Sequence, residues 1–328
     1  MNRKAEKYLV LRGCAGLGNR LFTFLYALEF AKSAGRVLVV DWRDGQFHFP
    51  GKNAFDHAFY IDGVCTIDEF NSKGLSVYPS KEFLKGNGIY EVANYKFGYT
   101  GNFKFIFTDI IKGRLSRWVS YWQLKSDQSR LLLAPFRNTF LELGERIHSN
   151  IDDDIVVFTA FFPSISKIKG FDAIRLNSVM SKKVNDFIDE YNLKEGTIGV
   201  HVRYSDKKPT KQLLGLKSAI KENIQNFDRI FLSTDSQYVE DEIKVWFPNK
   251  VIVQPKTQLS DSTIGLHQGA YRNQDHVLAL ALFEESIIDM WSLRACTTLF
   301  YQGNSSFSLM SHYLRHDKSK SHNWLELC

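Results

Sequence analysis

The sequence predicts an α/β protein with two doubly wound parallel sheets in tandem, and three observations carry that prediction. Short apolar runs recur along the chain, most of them followed by an amphipathic stretch long enough for a helix. Runs without polar alternation are strands buried on both faces, as helix-covered parallel sheets require. The alternation occurs once near the start and again, more completely, from residue 197 onward. The length, 328 residues, suits two domains. The expected division is 1–185 and 186–328, with the joint near 180–196.

The first series opens with a strand over 7–12, a helix over about 18–34 that Gly35 stops, and a strand over 36–42. Between 45 and 150 aromatics and glycines scatter, and only 129–150 reads as helix. Loops there are the expected place for substrate-specific surface. Residues 155–161 form another buried strand. The second series runs strand 197–203, helix 211–226, strand 229–234, and a helix capped by Asp235 or Ser236 that ends at Trp246. Strand 251–253, a loop through 272, helix 275–294, strand 297–301 and helix 306–314 complete it. Ligands of such sheets bind outside the carboxyl ends of the strands, and with two domains the cleft lies between them.

Charge and cysteines narrow the function classes. The 42 basic and 36 acidic residues leave a net charge of +6. That suits a nucleotide diphosphate, or loose contact with an anionic membrane surface, and is too diffuse for nucleic acid. No apolar run reaches membrane-spanning length, and the first residues do not read as a signal peptide. Cys14, Cys65, Cys296 and Cys328 are far apart and form no Cys-x-x-Cys pair. A metal knuckle or disulfide framework is therefore not expected, and a cytoplasmic location is.

The loop after the first strand, GCAGLGNR, imitates two nucleotide signatures and completes neither. Gly13 and Gly18 have P-loop spacing, but Asn19 and Arg20 stand where Lys and Ser/Thr belong. Asp41 imitates the ribose-binding acid of dinucleotide enzymes, yet Leu21 occupies the position of the third small residue. An NAD enzyme is thus a distant alternative.

The polar residues just past strand ends are the better candidates. His201 and Arg203 share one face of a strand, with Asp206, Lys207 and Lys208 in the loop beyond. An arginine there can hold two phosphate oxygens, or it can serve a structural ion pair. Ser305 and Ser306, after Gly303 at a helix start, offer an anion site or an ordinary N-cap. Asp289, inside an apolar helix face, needs partners: a lysine or arginine, or the two N–H groups of a guanine edge. Asp152 to Asp154 invite a metal reading, but they precede a strand instead of following one, so no metal is expected. Trp118, Tyr121 and Trp122 lie among Lys112, Arg114, Arg117 and Lys125, a pattern for a sugar, a membrane surface or a helix core.

Four segments together resemble the GDP-fucose-dependent fucosyltransferases, with the α1,6 branch nearest. They are GCAGLGNRLFTFLYALEFAKSAGRVLVVDWR, IGVHVRYSDK, IFLSTDSQYVEDEIKVWFP, and GLH followed by SIIDMWSLRACTTLFYQGNSSFSLMSHYL. The resemblance does not extend over about 45–195. It implies a GT-B fold, two Rossmann-like domains facing a central cleft, no metal, no cofactor, a GDP-fucose donor and a glycan acceptor. It implies that His201, Asp235 and His267 contact the nucleotide-sugar, Arg203 holds the β-phosphate and Asp289 reads guanine. Ser305 and Ser306 would line the phosphate end, Asp206 and Lys207 the donor sugar, and Gly16, Gly18 and Asn19 the opposite wall of the cleft. Two positions depart from the animal α1,6 enzyme: Lys211 stands where it has a glutamate, and Tyr204 where it has a second arginine. The remaining alternatives are a GDP-binding module without catalysis, and a transferase of a fucose-like sugar.

Overall fold

The computed structural model describes residues 6–13, 15–78, 84, 152–158, 168–205, 209, 212–257, 270–271 and 273–327, and elements are numbered over these. Two five-stranded sheets result. The first holds β1 (Lys7–Arg12), β2 (Arg36–Asp41), β3 (Val64–Thr66), β4 (Val77–Tyr78) and β5 (Ile155–Phe158), in the order β3-β2-β1-β5-β4. The second holds β6 (Thr197–Val202), β7 (Arg229–Thr234), β8 (Val251–Val253), β9 (Thr298–Tyr301) and β10 (Ser321–Asn323), in the order β10-β9-β6-β7-β8. Every neighbouring pair is parallel. The α/β expectation holds.

The strand pattern explains the layers. Leu9 and Leu11 of β1 face one apolar cluster, while Val10 faces another on the opposite side. In the second sheet Phe231 and Leu299 join the first of these clusters, and Ile198, Val200 and Leu232 join a third. The helices α1 (Leu17–Ser33), α6 (His276–Ala295) and α7 (Ser306–Tyr313) contribute Leu21, Phe22, Met290 and Met310 to the shared cluster. They fill the space between the two sheets. This is why α1 is apolar on nearly all sides: Phe22, Phe24 and Leu25 are all buried. Gly35, at φ +62°, stops it as expected. The helices α4 (Leu213–Asn223) and α5 (Gln237–Trp246) cover the outer face of the second sheet through Leu216, Ile220, Val239 and Ile243.

The joint expected near 180–196 is largely helix. α3 (Ser178–Glu190) is capped by Asn177, whose side chain accepts the Met180 N–H at 2.9 Å. Its buried residues Met180, Val184 and Ile188 form one narrow stripe, and α3 packs on α6. The surrounding lysines, serines and aspartates are exposed, which gives the segment its linker-like composition. The expected 185/186 boundary therefore falls inside α3. Four further elements escaped the sequence because they are too short for periodicity: α2 (Ala54–Ala58), β3, β4 and β10. The helix expected over 129–150, the aromatic group at 118–122 and residues 159–161 lie outside the described residues.

Side chains tie the two halves together. Phe47 stacks on Phe283 of α6 with ring centroids 5.0 Å apart, and Phe171 stacks on Tyr313 of α7 at 4.7 Å. Glu284 of α6 accepts from His57 of α2 and Lys183 of α3, each at 2.7 Å. Burial alone would raise this carboxyl, but those two bonds outweigh it and hold it below its ordinary value.

Candidate functional site

Each sheet reverses direction once, and the candidate loops stand at those reversals. The first sheet runs β1, β2, β3 to one side and places β5 on the other side of β1. The second runs β6, β7, β8 to one side and places β9 on the other side of β6. The crevice outside such a switch point is where open α/β sheets bind ligands. GCAGLGNR follows β1, HVRYSDK closes β6 and QGNSS follows β9.

The first loop is held from beneath by its own arginine. Arg20 is buried; its Nε donates to the Ala15 carbonyl at 2.9 Å, and its Nη2 to Asp44 at 2.6 Å and Gln46 at 2.9 Å. Its guanidinium lies over Trp42 and Phe47, 5.3 and 4.7 Å from the ring centroids. Arg20, at the Ser/Thr position of a P-loop, thus folds back under the loop and is committed to it. Ala15 sits at φ +63°, a left-handed conformation that costs an alanine about 1 kcal/mol or more, and the Arg20 bond to its carbonyl helps hold it there.

Gly16 is the N-cap residue of α1, and Gly18 lies in its first turn. Gly18 faces the first turn of α7: a Cβ there would lie 2.5 Å from the Phe307 nitrogen and 2.6 Å from the Ser306 oxygen. The absence of a side chain at Gly18 lets the two helix starts come into backbone contact. Asn19 is 9% exposed beside it, its carbonyl accepting from Thr23 at 2.9 Å. Asp41 is buried between two arginines, paired with Arg12 at 3.2 Å and accepting from Arg43 at 2.9 and 3.0 Å. Such a carboxylate is committed to the fold and not presented to a ribose.

Across the cleft, the exit of β6 is clamped from both neighbouring strands. On the β9 side, Gln302 is fully buried and its Oε1 accepts the Arg203 N–H at 2.8 Å. Its Nε2 donates to Asn304 at 2.9 Å, and its own N–H donates to Ser308 at 2.7 Å. On the β7 side, Asp235 accepts the N–H groups of Tyr204 and Ser205 at 2.8 and 3.2 Å and the Ser205 hydroxyl at 2.5 Å. The Arg203 Nε lies 3.8 Å from the Asp235 carboxylate, and both side chains keep solvent contact. The helix cap beside Asp235 is Ser236, which accepts the Val239 N–H at 3.3 Å.

His201 links these groups to α7. Its ring lies against Phe307, centroids 5.0 Å apart, and its carbonyl accepts from the Trp324 indole at 3.0 Å. Ser305 is the buried N-cap residue of α7, but its side chain makes no capping bond, so the ordinary serine cap is not what is found. The start of α1 also lacks a side-chain cap. The helices α2, α3, α5 and α6 are capped by Asn53, Asn177, Ser236 and Asp275, while α4 also starts without a side-chain cap. Two helix N-termini without side-chain caps therefore meet at the crevice, and their dipoles favour an anion there.

Asp289 has the lysine partner. Its Oδ2 accepts from Ser233 at 2.6 Å and pairs with the Lys256 ammonium. The Gln254 amide, in the orientation that satisfies both its atoms, donates to Asp289 Oδ1 at 2.6 Å. Ser233 stands opposite His201 in the β6–β7 register, so this cluster borders the exit of β6. Asp152 pairs with Lys7, and Asp154 accepts the Ser76 N–H at 2.8 Å, which holds its carboxyl below the ordinary value. Among the described residues no group of three or more His, Cys, Asp or Glu is placed to hold a metal ion. Asp206, Lys207, Lys211 and His267 lie outside the described residues. Gln302 lies in the strand-end stretch 302–306 but has no role assigned from the sequence, and Lys256, Ser233 and Gln254 were not singled out. Gln302 had a local signal, a glutamine directly after a buried strand; the other three had none.

No protein-family model and no curated protein sequence matches the chain. Solved structures do. The NodZ α1,6-fucosyltransferase soaked with GDP-fucose superposes with a TM-score of 0.58 at 18% identity, over 94% of this chain and 93% of that one. The fold is that of the fucosyltransferases. The fucosyltransferase NodZ from Bradyrhizobium matches at a TM-score of 0.57 and 18% identity, over 95% and 94% of the two chains. POFUT1 in complex with GDP-fucose matches at 0.52 and 15% identity, over 98% and 97%. The three matches cover 94%, 95% and 98% of this chain.

Proposed function

We propose that this protein is an inverting, metal-independent glycosyltransferase of the GT-B kind that moves L-fucose from GDP-β-L-fucose to a glycan hydroxyl, in the manner of the α1,6 enzymes. The observation that carries the reading is the clamp on Arg203. Gln302 holds the Arg203 backbone and Asp235 lies beside its guanidinium at the switch point of the second sheet, on the side where the starts of α1 and α7 meet. Structures of this fold at 18% and 15% identity were solved with GDP-fucose, which supports a GDP-sugar donor.

The chemistry follows from charge. Breaking the anomeric bond passes through an oxocarbenium-like state and leaves a second negative charge growing on GDP. Arg203 supplies the countercharge, and the N–H groups at the starts of α1 and α7 add to it. His201, Ser305 and Ser306 border the same place on the nucleotide side, Gly16 and Asn19 on the other. The acceptor hydroxyl attacks the face opposite GDP, so a β-linked donor gives an α-linked product. The acceptor is a surface glycan or its lipid-linked precursor, met in the cytoplasm or at an anionic membrane surface.

One observation favours a second reading, a GDP-binding module without turnover: Lys211 stands where the animal α1,6 enzyme has a glutamate. The two separate in one experiment. Thermal melting with GDP, UDP, ADP and NAD tests the base; at 100 times its dissociation constant a ligand adds about 2.7 kcal/mol of stability. Hydrolysis of GDP-fucose is then compared between wild type and Arg203→Ala. A loss of about 100-fold or more is expected. Binding of GDP with no hydrolysis selects the second reading, and a larger melting shift with UDP or NAD overturns both.

A further inference from the structure

We infer that Lys256 sets the base specificity of the site, by supplying the donor that guanine O6 requires beside the Asp289 carboxylate; this rests on the GDP-sugar reading above. Asp289 is 4% exposed in α6, and the Lys256 side chain, three residues beyond β8, covers it at 11% exposure. The pair sits at the carboxyl ends of β7 and β8, beside the strand that delivers His201 and Arg203.

A buried ion pair is expensive to keep and contributes little net stability against an apolar substitute. Its order of atoms gives it a use. Lys256 Nζ lies against Oδ2, and Oδ1 is the oxygen on the other side, turned to Gln254. Read along the cluster, the polar atoms run donor, acceptor, acceptor. The Watson–Crick edge of guanine runs acceptor, donor, donor: O6, N1–H and the 2-amino group. The two series are complementary in the same order. Uracil presents acceptor, donor, acceptor, which sets a carbonyl against Oδ1. Adenine sets its amino group against the ammonium and has nothing for Oδ1 to accept.

Entry of the base is then an exchange of partners. N1–H takes the place of the ammonium on Oδ2, the 2-amino group adds a bond to Oδ1, and Lys256 turns to O6. No charge is stranded, because the ammonium stays beside the carboxylate throughout. Ser233 and Gln254 keep their bonds and hold the carboxylate in position. Lys256 is therefore the element of the site that reads position 6 of the base, while Asp289 reads positions 1 and 2.

The test is a set of dissociation constants on the full chain, by calorimetry, for GDP, ADP and the diphosphate of 2,6-diaminopurine riboside, which keeps the 2-amino group but has an amino group for O6 and a bare nitrogen for N1–H, so that the Lys256 variants isolate the part read at position 6. Wild type should bind the diaminopurine nucleotide at least about tenfold more weakly than GDP. In Lys256→Met the preference for GDP over ADP should fall by about tenfold or more, and Lys256→Arg should restore it. Equal affinity of wild type for GDP and the diaminopurine nucleotide overturns the inference and needs no variant to fold. An unchanged GDP/ADP ratio in Lys256→Met with an intact melting transition also overturns it. Failure of wild type to bind GDP at all overturns instead the GDP-sugar reading on which it rests.

Discussion

A Cβ built on Gly18 would lie 2.5 Å from the carbonyl carbon of Ser306, so the first turns of α1 and α7 are in backbone contact. This contact joins the loop after β1 to the loop after β9, and through them the two switch points of the fold. The glycine that looked like part of a phosphate signature is the hinge of that junction.

Gly18→Ala tests it. Helix propensity favours alanine by about 1 kcal/mol. The collision is with backbone on α7, which cannot rotate away as a side chain can, and overpacking of this kind costs about 1–3 kcal/mol or more. The collision should win, giving a lower denaturant midpoint with an unchanged slope. A variant as stable as wild type or more so would mean that α1 and α7 do not touch here.

The clamp on the β6 exit should be felt in turnover before affinity. Asp235→Ala removes the acceptor for two N–H groups and one hydroxyl, at a cost of about 1–3 kcal/mol in stability. Hydrolysis of GDP-fucose should lose kcat more than it gains in KM, because Arg203 is no longer aimed. Gln302→Glu keeps an acceptor for the Arg203 N–H while losing the donor to Asn304, and should retain more kcat than Gln302→Ala. Equal kcat in the two Gln302 variants would remove the clamp from the mechanism.

Asp41 should behave as a structural group. Asp41→Ala takes the carboxylate from two arginines, one of them fully buried, and should cost about 3 kcal/mol. The melting temperature of wild type should not respond to NAD. A clear NAD shift that Asp41→Ala abolishes would restore the dinucleotide reading.

Acid should unfold the protein partly through His312. Burial pushes this imidazole from its ordinary 6.5 down to about 4, and its ring stacks on Tyr301 at 4.5 Å. Between those two values the unfolded chain holds the proton and the folded one refuses it. Stability is therefore full above pH 6.5 and falls as the pH drops toward 4. His312→Phe keeps a ring against Tyr301 without the proton, so melting temperature against pH should be flatter in that window. An identical slope in the variant would assign the acid sensitivity to other groups.

Most of the second half was legible in the sequence, because its strands are unbroken apolar runs and two of its helices, α5 and α6, begin with ordinary caps. The strand over 229–234, the Ser236 cap and the Asp275 start were all readable for local reasons. α3 was not, since its three-residue apolar stripe is outnumbered by exposed charges. The strand-end rule found Arg203, Asp235 and Ser305 because a parallel sheet delivers polar residues to one edge. It could not find Lys256, whose partner lies 33 residues away on α6.

The sequence by itself determined the two sheets, the parallel sense of their strands and the edge on which the polar residues gather, since these follow from local periodicity and from burial on both faces. Only the tertiary structure decided what each polar residue faces. Gly18 meets Ser306, Arg20 turns under its own loop, Asp41 is locked between Arg12 and Arg43, and Asp289 is covered by Lys256. The Gly18–Ser306, Arg12–Asp41 and Lys256–Asp289 pairings join segments far apart in the chain, and no local pattern encodes them. They are selected by the requirement that every buried charge find a partner once the sheets and helices have closed around it.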